Sequence, residues 1–235
     1  MIKAIETVYN GYRFRSRLEA RWAVFFDAME IKYQYEPEGW QLADGTRYLP
    51  DFLLERMGMW IEVKSGSPSQ KELQKLISLK RETKQPTAMI CGTPNFPTFK
   101  AARLYQIDEN RRSFLKTMGG SRGNESVDWI MADGYYMLFV GRDGSDMRLF
   151  VDAFAVDKDG VAFVAPVMMP EPGKTVLTCK QFFCPTFPGG FISASNYTGP
   201  YPFFRDARLL AAYTAARQAR FEHGETPLTN RRQGR

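Results

Sequence analysis

The first part of the chain alternates between helical and extended patterns of apolar residues. Over residues 12–29, apolar side chains recur at helical spacing, which predicts a helix with arginines on its other side. Residues 31–35 alternate apolar and polar as in a strand, and 48–54 and 59–64 are two further extended runs. Only four residues separate the last two runs, so they are predicted to form a hairpin.

A second helix is predicted soon after the hairpin. Ser67-Pro68 supplies a capping residue followed by proline at the first helical position, and apolar residues then continue one helix face to about Thr83. Residues 87–91 form a short apolar run that ends at Gly92, which indicates a buried strand. The predicted order is helix, three strands, helix, strand, which is typical of an α/β unit.

The rest of the chain has a different pattern. Residues 135–140, 148–156 and 161–166 are predicted strands joined by turns that contain glycine. A helix is predicted from 205 to 222, and the polar, basic tail at 224–235 is predicted to be disordered. We therefore expect a β-rich region and a C-terminal helix appended to the α/β unit.

The register of the hairpin brings two carboxylates together. If residues 55–58 form the turn, Leu54 pairs with Met59, and Asp51 then lies opposite Glu62. Because side chains alternate between the two faces of a sheet, one face is apolar and the other is charged. The apolar face comprises Phe52, Leu54, Met59, Ile61 and Val63, and the charged face comprises Asp51, Glu62 and Lys64. A shift of one residue would turn the carboxylates into the core, so burial fixes this register.

Opposed carboxylates indicate a cation site. Side chains directly opposite one another in a sheet are about 4.5–5.5 Å apart at Cβ, and like charges there are destabilising. Asp51 and Glu62 suit Mg²⁺, which is held by one or two carboxylates together with water and phosphate oxygens. Lys64 projects into the same space, where it can hold an attacking water or neutralise charge on a phosphate in the transition state. The alternative is a Pro-Asp turn beside a solvated strand face with a surface ion pair.

The charge of the chain agrees with a phosphate-bearing partner. Its 32 lysines and arginines exceed its 26 acidic residues, which gives a formal net charge of +6. Cationic side chains placed on phosphates release counterions, so a basic protein is suited to nucleic acid. Many basic proteins bind no nucleic acid, so charge supports this hypothesis without deciding it.

The sequence contains no recognisable membrane or secretion signal. No apolar run approaches the roughly 18–20 residues that span a bilayer, and the N-terminal segment lacks the apolar stretch of a signal peptide. An odd number of cysteines, three, argues against a secreted disulfide framework. We expect a soluble protein of the cytoplasm that does not associate with membranes.

A zinc site and a cysteine nucleophile are both poorly supported. Cys179 and Cys184 are close in sequence, but Cys91 is distant and His223 is the only histidine. A structural zinc site needs four Cys or His ligands at recognisable spacings. The lone His223 also lies in a polar C-terminal stretch, which makes it a poor base for a cysteine nucleophile.

Two segments of the hairpin resemble a known nuclease signature. Leu49-Pro50-Asp51-Phe52 followed by Trp60-Ile61-Glu62-Val63-Lys64 resembles the motif of the PD-(D/E)XK nuclease superfamily, which includes restriction endonucleases and Holliday-junction resolvases. The predicted order of elements is also that of the superfamily core, and the resemblance covers about residues 10–95. It implies a restriction-endonuclease-like α/β fold in which Asp51, Glu62 and the Val63 carbonyl bind Mg²⁺, for which Mn²⁺ can substitute. Lys64 would then assist the nucleophile.

The resemblance extends to the first helix. Many members of the superfamily carry a glutamate there, and Arg17-Leu18-Glu19-Ala20-Arg21-Trp22 is similar to that segment. This implies that Glu19 is a fourth catalytic residue and metal ligand. Glu19 lies beside the apolar stripe of the predicted helix, from where it can point over the sheet edge. The alternative is a helix-surface pair with Arg15, four residues earlier.

Basic and small residues near the motif are candidates for nucleic-acid binding. Arg13, Arg15, Arg17 and Arg21 cluster at the first helix, where they either grip phosphates or form a solvated helix face. Ser65 follows the motif and either lets a nucleic-acid strand approach the backbone closely or simply belongs to the turn into the next helix.

We interpret the chain as a magnesium-dependent endonuclease that hydrolyses DNA phosphodiester bonds, of a kind encoded by phages and mobile elements. The nuclease core is expected at 1–105, the β-rich region at 115–204, the C-terminal helix at 205–223 and the tail at 224–235. DNA is the expected partner, and a homodimer is compatible because many such nucleases cut two strands as dimers. A phage-encoded enzyme would act in the cytoplasm of the host cell.

Two alternatives compete with this interpretation. One keeps the enzyme and changes its substrate to branched DNA or RNA. The other is a nuclease-like fold that binds nucleic acid or inhibits a partner without cutting. Intact Asp51, Glu62 and Lys64 argue against the second alternative, since a non-catalytic descendant has no need of opposed carboxylates.

Overall fold

The computed structural model of the chain describes residues 5–96, 98–103, 127–140, 147–151, 154–156, 161–164, 167–168, 181–183, 191–193 and 206–221. The helices in these ranges are α1 (Arg17–Ala28), α2 (Gln70–Thr83) and α3 (Ala207–Gln218). The strands are β1 (Thr7–Tyr9), β2 (Tyr12–Phe14), β3 (Tyr33–Tyr35), β4 (Trp40–Gln41), β5 (Arg47–Tyr48), β6 (Phe52–Leu54), β7 (Met59–Lys64), β8 (Thr87–Gly92), β9 (Thr98–Arg103), β10 (Val127–Asp133), β11 (Tyr135–Val140), β12 (Met147–Val151), β13 (Phe154–Val156), β14 (Ala162–Val164), β15 (Val167–Met168), β16 (Gln181–Phe183) and β17 (Phe191–Ser193).

A mixed sheet is the centre of this α/β fold. Five strands in the order β3-β6-β7-β8-β11 form the part that carries the candidate site, and β12 and then β15 extend the sheet beyond β11. Strands β7 and β8 run parallel, and the other neighbours are antiparallel. Parallel neighbours need a crossover connection, and α2 supplies it. The remaining strands form small antiparallel pairs: β1–β2, β4–β5, β9–β10, β13–β14 and β16–β17.

The two faces of the sheet are covered by different helices. On strand β7, Met59, Ile61 and Val63 lie in one apolar cluster, and Trp60 lies in a separate cluster on the opposite face. On one face, the sheet packs against α1 and α3, with Trp22 and Phe26 fully buried between them. On the other face, α2 packs through Leu73 and Leu76 against β8 and β11.

The C-terminal helix shares a core with the first helix. The rings of Phe25 in α1 and Tyr213 in α3 stack with their centroids 4.7 Å apart. The hydroxyl of Tyr213 also makes a 2.6 Å hydrogen bond with that of Tyr135 in β11. Side chains from before and after residue 105 therefore belong to one apolar cluster. The division of the chain into domains stays a prediction.

The first helix is shorter than its sequence pattern predicted. It begins at Arg17, where the Ser16 side chain accepts a hydrogen bond from the Glu19 N–H, rather than at Tyr12. Residues 12–14 are instead a strand in the β1–β2 hairpin. Asn10 and Gly11 form its turn with φ of 47° and 82°, backbone angles that hairpin turns require and that Asn-Gly supplies readily. The prediction was wrong here because the aromatic residues fitted a helical spacing as well as a strand.

The second helix begins at a different cap from the predicted one. Ser69, rather than Ser67, caps α2, because Ser69 and Glu72 form a reciprocal capping box. The predicted end at Thr83 is confirmed, and Lys84 follows it with a left-handed φ of 58°.

Three predicted extended runs are interrupted or shorter in the fold. The run over 48–54 is divided into β5 and β6 by residues that include Pro50, which has no N–H to donate to a strand partner. The run over 148–156 is divided into β12 and β13, and 161–166 contains β14. The runs 59–64 and 135–140 are confirmed as β7 and β11.

Parts of the predicted organisation lie outside the described residues. These are 115–126, most of 141–205 between the short strands, and the tail at 224–235. Among the helices that are described, none is long and apolar enough to cross a membrane.

The close approach of β8 and β11 predicts a glycine requirement at position 92. Gly92 has a φ of 113°, and a Cβ there would lie 2.5 Å from the Gly134 carbonyl oxygen. Gly92→Ala should therefore lower the free energy of unfolding by at least about 2 kcal/mol, measured by urea denaturation. Gly66→Ala is the matched control, because a Cβ at Gly66 meets no atom within 4 Å. Equal stabilities of the two variants would contradict the close packing of these strands.

Candidate active site

The predicted hairpin register is confirmed. Leu54 pairs with Met59, Leu53 with Trp60 and Phe52 with Ile61. A single turn of 3-10 helix over Glu55–Met57, followed by Gly58 with a φ of 54°, joins the two strands. The five side chains predicted for the apolar face all lie in the main hydrophobic core: Phe52, Leu54, Met59, Ile61 and Val63. The charged residues are therefore held on the opposite side, as burial requires.

Asp51 is anchored to the neighbouring strand rather than paired directly with Glu62. The paired residues end at Phe52, so Asp51 lies one position before β6. Its Oδ2 accepts a 2.7 Å hydrogen bond from the Val63 N–H, and its carbonyl accepts one of 2.8 Å from the Glu36 N–H. Burial raises the pKa of the Asp51 carboxyl well above 3.8, and the charges of Glu62 and Glu19 raise it further. The carboxylates are thus close enough to repel one another.

Glu62 and Lys64 form an ion pair on the charged side of β7. The Lys64 Nζ lies 2.8 Å from Glu62 Oε1, and the Tyr48 hydroxyl donates a 3.0 Å hydrogen bond to Oε2. Burial alone would lower the pKa of Lys64, but Glu62 and Glu72 outweigh burial and raise it. Lys64 is therefore a protonated cation at neutral pH, with 29% of its side chain exposed.

Glu72 is a site residue that the sequence analysis missed. Its Oε1 lies 3.1 Å from Lys64 Nζ, while its Oε2 accepts hydrogen bonds from the N–H and hydroxyl of Ser69. The first turn of α2 is thus tied to the end of β7. A signal was present, because Ser69 followed three residues later by a glutamate is a capping box, and such a cap fixes where the first turn begins.

Glu19 is buried and held by three donors. Its Oε2 accepts hydrogen bonds from the Tyr35 hydroxyl at 2.6 Å and from the Arg15 N–H at 3.1 Å, and its Oε1 accepts one from the Ser16 hydroxyl at 2.5 Å. Burial and the hydrogen bond to Glu19 raise the pKa of Tyr35, so this phenol stays a donor. The surface pair with the Arg15 side chain is not formed, since the Arg15 Nε lies 2.7 Å from Glu36 instead.

Glu36 is a second acidic residue that sequence reasoning missed. Besides its ion pair with Arg15, it donates its N–H to the Asp51 carbonyl. Its pKa is raised mainly by burial and also by the charges of Glu19 and Glu62, while Arg15 lowers it. Its φ of 44° is unusual for a non-glycine residue and marks local strain. No sequence pattern signals this residue, because its position follows from the backbone turn between β3 and the next hairpin.

The donor set suits a hard divalent cation. Carboxylate oxygens are the ligands that Mg²⁺ prefers, and a cation would offset the burial and the repulsion that together raise the pKa of Asp51. Within the described residues no donor contacts Asp51 Oδ1, which leaves that oxygen for a ligand. No three Asp, Glu, His or Cys side chains in this part of the chain form a complete metal cage. Mg²⁺ does not need one, because one or two carboxylates with water and phosphate oxygens suffice.

The predicted nucleic-acid-binding residues are not all in one place. Arg15 lines a cleft that also contains Glu62 and Lys64. Arg13 is exposed and pairs with Glu6, and Ser65 is exposed just beyond β7 without lining that cleft. Arg17 is half-buried at the first position of α1. Arg21 faces a separate cleft lined by Arg217 and Arg220, at the C-terminal end of α3.

The cysteines and the histidine offer no competing chemistry in the described part of the chain. Cys91 is buried in β8, and burial raises the pKa of its thiol to about 12. A thiol with such a pKa is a poor nucleophile and metal ligand at neutral pH. Cys179, Cys184 and His223 lie outside the described residues.

The crowding of carboxylates predicts that Asp51 destabilises the metal-free protein. Because the pKa of Asp51 is raised by folding, the folded state binds this proton more tightly than the unfolded state does. The resulting contribution to the free energy of unfolding is fully present below about pH 3.8 and is lost as pH rises through the folded pKa. Asp51→Asn removes the charge but keeps an acceptor for the Val63 N–H. In chelator at pH 7 it should raise the free energy of unfolding by on the order of 1 kcal/mol, measured by urea denaturation.

The pH dependence and a second aspartate give the control for that measurement. The gain from Asp51→Asn should shrink as the pH falls towards 4. Asp44 is exposed in the loop between β4 and β5, and hydrogen bonds from Thr46 lower its pKa, so Asp44→Asn should bring no gain. A loss of stability in Asp51→Asn at pH 7 would contradict the repulsion inferred here.

Comparisons with known proteins give no independent assignment of this site. The chain matches no protein-family model, no protein of curated function and no solved structure. The resemblance to the PD-(D/E)XK signature stays a prediction, and the function must be argued from the arrangement of Asp51, Glu62 and Lys64.

Proposed function

We propose that the chain is a divalent-metal-dependent nuclease that hydrolyses DNA phosphodiester bonds. The observation that carries the proposal is the joint burial of Asp51 and Glu62 beside the Lys64 ammonium, 2.8 Å from Glu62, at the wall of a cleft. Buried like charges cost stability, and a structural role alone gives no reason to bring them together. A site for a cation and a phosphate does give such a reason.

Asp51 and Glu62 would hold the cation, with the Val63 carbonyl and Glu19 as the further ligands that the signature implies. Mg²⁺, or Mn²⁺ in its place, supplies charge stabilisation at the phosphate and lowers the pKa of water when bound. Tyr48 orients Glu62, and the Val63 N–H orients Asp51, so the two carboxylates are fixed before substrate arrives. Preorganisation of this kind reduces the cost of reaching the transition state.

Lys64 would act as a cation rather than as a base. Its pKa is raised by Glu62 and Glu72 despite burial, so its ammonium donates hydrogen bonds at neutral pH and does not accept a proton. It is placed to orient the attacking water or to neutralise the phosphate as water adds in line and the P–O bond breaks. The products are an alcohol and a phosphate monoester.

Cleavage assays with substituted chains test the catalytic assignment. With Mg²⁺ or Mn²⁺, the chain should cut DNA, and Asp51→Ala or Glu62→Ala should remove metal-dependent cleavage because the cation loses a ligand. Lys64→Ala should lower kcat by about 10²–10³-fold, the usual cost of one transition-state donor, while changing substrate affinity much less. Initial rates on linear duplex, four-way junction, single-stranded DNA and RNA give the measurement and identify the substrate.

The two competing hypotheses predict different outcomes of the same assays. Cleavage that persists in Asp51→Ala with metal present would refute the site. Cleavage of junctions or RNA in preference to linear duplex would keep the enzyme and change its substrate. Binding without cleavage of any substrate would favour a non-catalytic nuclease-like protein.

Glu72 is proposed as a positioning residue for Lys64. Glu72→Gln keeps the capping interaction with Ser69, since glutamine also serves in a capping box, but removes the negative charge beside Lys64. Loss of an ion pair worth about 1 kcal/mol corresponds to a decrease of about fivefold in kcat. The loss should appear in kcat, while the substrate Kd should not rise, because removing a negative charge from the cleft does not weaken phosphate binding.

Glu82→Gln is the control for Glu72→Gln, because Glu82 is exposed on the same helix and away from the cleft. Glu82→Gln should leave both kcat and the substrate Kd unchanged. If Glu72 has a purely structural role, Glu72→Gln would lower the free energy of unfolding without lowering the kcat of the folded protein.

A further inference from the structure

A cleft of about 600 Å³ adjoins the candidate active site. It is lined by Glu62 and Lys64 of β7 and by residues of the β4–β5 hairpin and of α2. Four cationic side chains and two carboxylates line it: Arg15, Arg47, Lys64, Lys75, Glu62 and Glu72. The volume lies within the range of ligand-binding clefts.

Two of these cations form no ion pair within the part of the chain that the structure describes. Lys64 is paired with both carboxylates of the cleft, and Arg15 is paired with Glu36. Arg47 and Lys75 make no ion pair with any described residue. The unbalanced charge of the cleft is therefore positive and lies on the β4–β5 hairpin and on α2, in the cleft that contains Glu62 and Lys64.

Arg47 and Lys75 lie on elements that are packed against the rest of the protein. Lys75 Nζ lies 5.9 Å from the centre of the Tyr48 ring, the same tyrosine that donates to Glu62. The hairpin itself is anchored, because Trp40 packs edge-on against Trp60 with centroids 5.9 Å apart. Its residues Leu42 and Tyr48 also belong to a buried cluster with β7 and α2. Arg47 is adjacent to Tyr48 and exposed.

We propose that a nucleic-acid strand binds along this cleft. Arg47 and Lys75 would each bind a backbone phosphate next to the phosphate that Lys64 contacts. The inference rests on the proposed function for the identity of the ligand, a phosphodiester chain. Arginine and lysine are the usual phosphate contacts of nucleic-acid-binding proteins, and such contacts fix register rather than read sequence. Because the contacts are to phosphate, they do not depend on base sequence.

Salt-dependent binding tests the assignment without any need for cleavage. Labelled oligonucleotides of DNA, as single strand and as duplex, and of RNA are titrated with the full chain in chelator, and Kd is measured by fluorescence anisotropy between 50 and 200 mM salt. Arg47→Gln and Lys75→Gln should each weaken binding. Each should also reduce the slope of log K against log salt by about 0.7 for a single strand or 0.9 for a duplex. For each lost contact, this change in slope alters the salt-induced rise in Kd between 50 and 200 mM by about threefold.

Two arginines outside the cleft provide matched controls. Arg56, in the turn between β6 and β7, and Arg81, in the last turn of α2, are exposed and do not line the cleft. Arg56→Gln and Arg81→Gln should leave the slope unchanged. Thermal unfolding midpoints of all four variants should match the unsubstituted chain, since Arg47, Arg56 and Arg81 are exposed and Lys75 is only partly buried.

The outcomes separate this inference from the proposed function. Equal loss of affinity in all four variants, or no loss in the two cleft variants, would refute nucleic-acid binding along the cleft even if Asp51-dependent cleavage is observed. Loss of binding confined to Arg47→Gln and Lys75→Gln would support nucleic-acid binding along the cleft, even if no substrate is cut. In that last case only the nuclease proposal would fail.

Discussion

The candidate site depends on holding negative charges close together where water has little access. Asp51 and Glu62 are each less than a tenth exposed. Burying a carboxylate costs several kcal/mol unless a partner or a hydrogen bond compensates. Here the compensation is shared among Lys64, the Val63 N–H and the Tyr48 hydroxyl. The apolar face of β6 and β7 is what enforces the arrangement, because a shift of one residue would place hydrophobic side chains in the cleft.

The parallel pair at the centre of the sheet gives this cluster its surroundings. Since β7 and β8 run parallel, α2 must cross over between them, and its first turn then lies beside the end of β7. That connection brings Glu72 to Lys64. On the other side, the antiparallel pairing of β3 with β6 brings Tyr35 and Glu19 towards the same edge. The residues of the site therefore come from separate helices and strands that the sheet order places together.

Sequence reasoning could reach the β6–β7 hairpin because its signal is local. Alternation, a four-residue turn and the requirement to bury Phe52 and Ile61 fixed both the strand and its register. It failed where two patterns overlapped, as at residues 12–14, whose aromatics satisfied a helical spacing while Asn10-Gly11 set a hairpin. It could not reach Glu36 or Tyr48, because their positions depend on contacts between segments far apart in the chain. The family resemblance and the catalytic roles derived from it stay predictions.

The pairing of β11 with β8 has a consequence for the integrity of the molecule. The backbone of β8, from Ala88 to Gly92, pairs with the antiparallel strand β11, from Phe139 to Tyr135. A fragment that stopped near residue 105 would leave β8 as an open, apolar edge, and such edges recruit strands from other chains and promote aggregation. Although the proposed chemistry resides in the first hundred residues, the later strand shields them, so the two parts should melt as one cooperative unit.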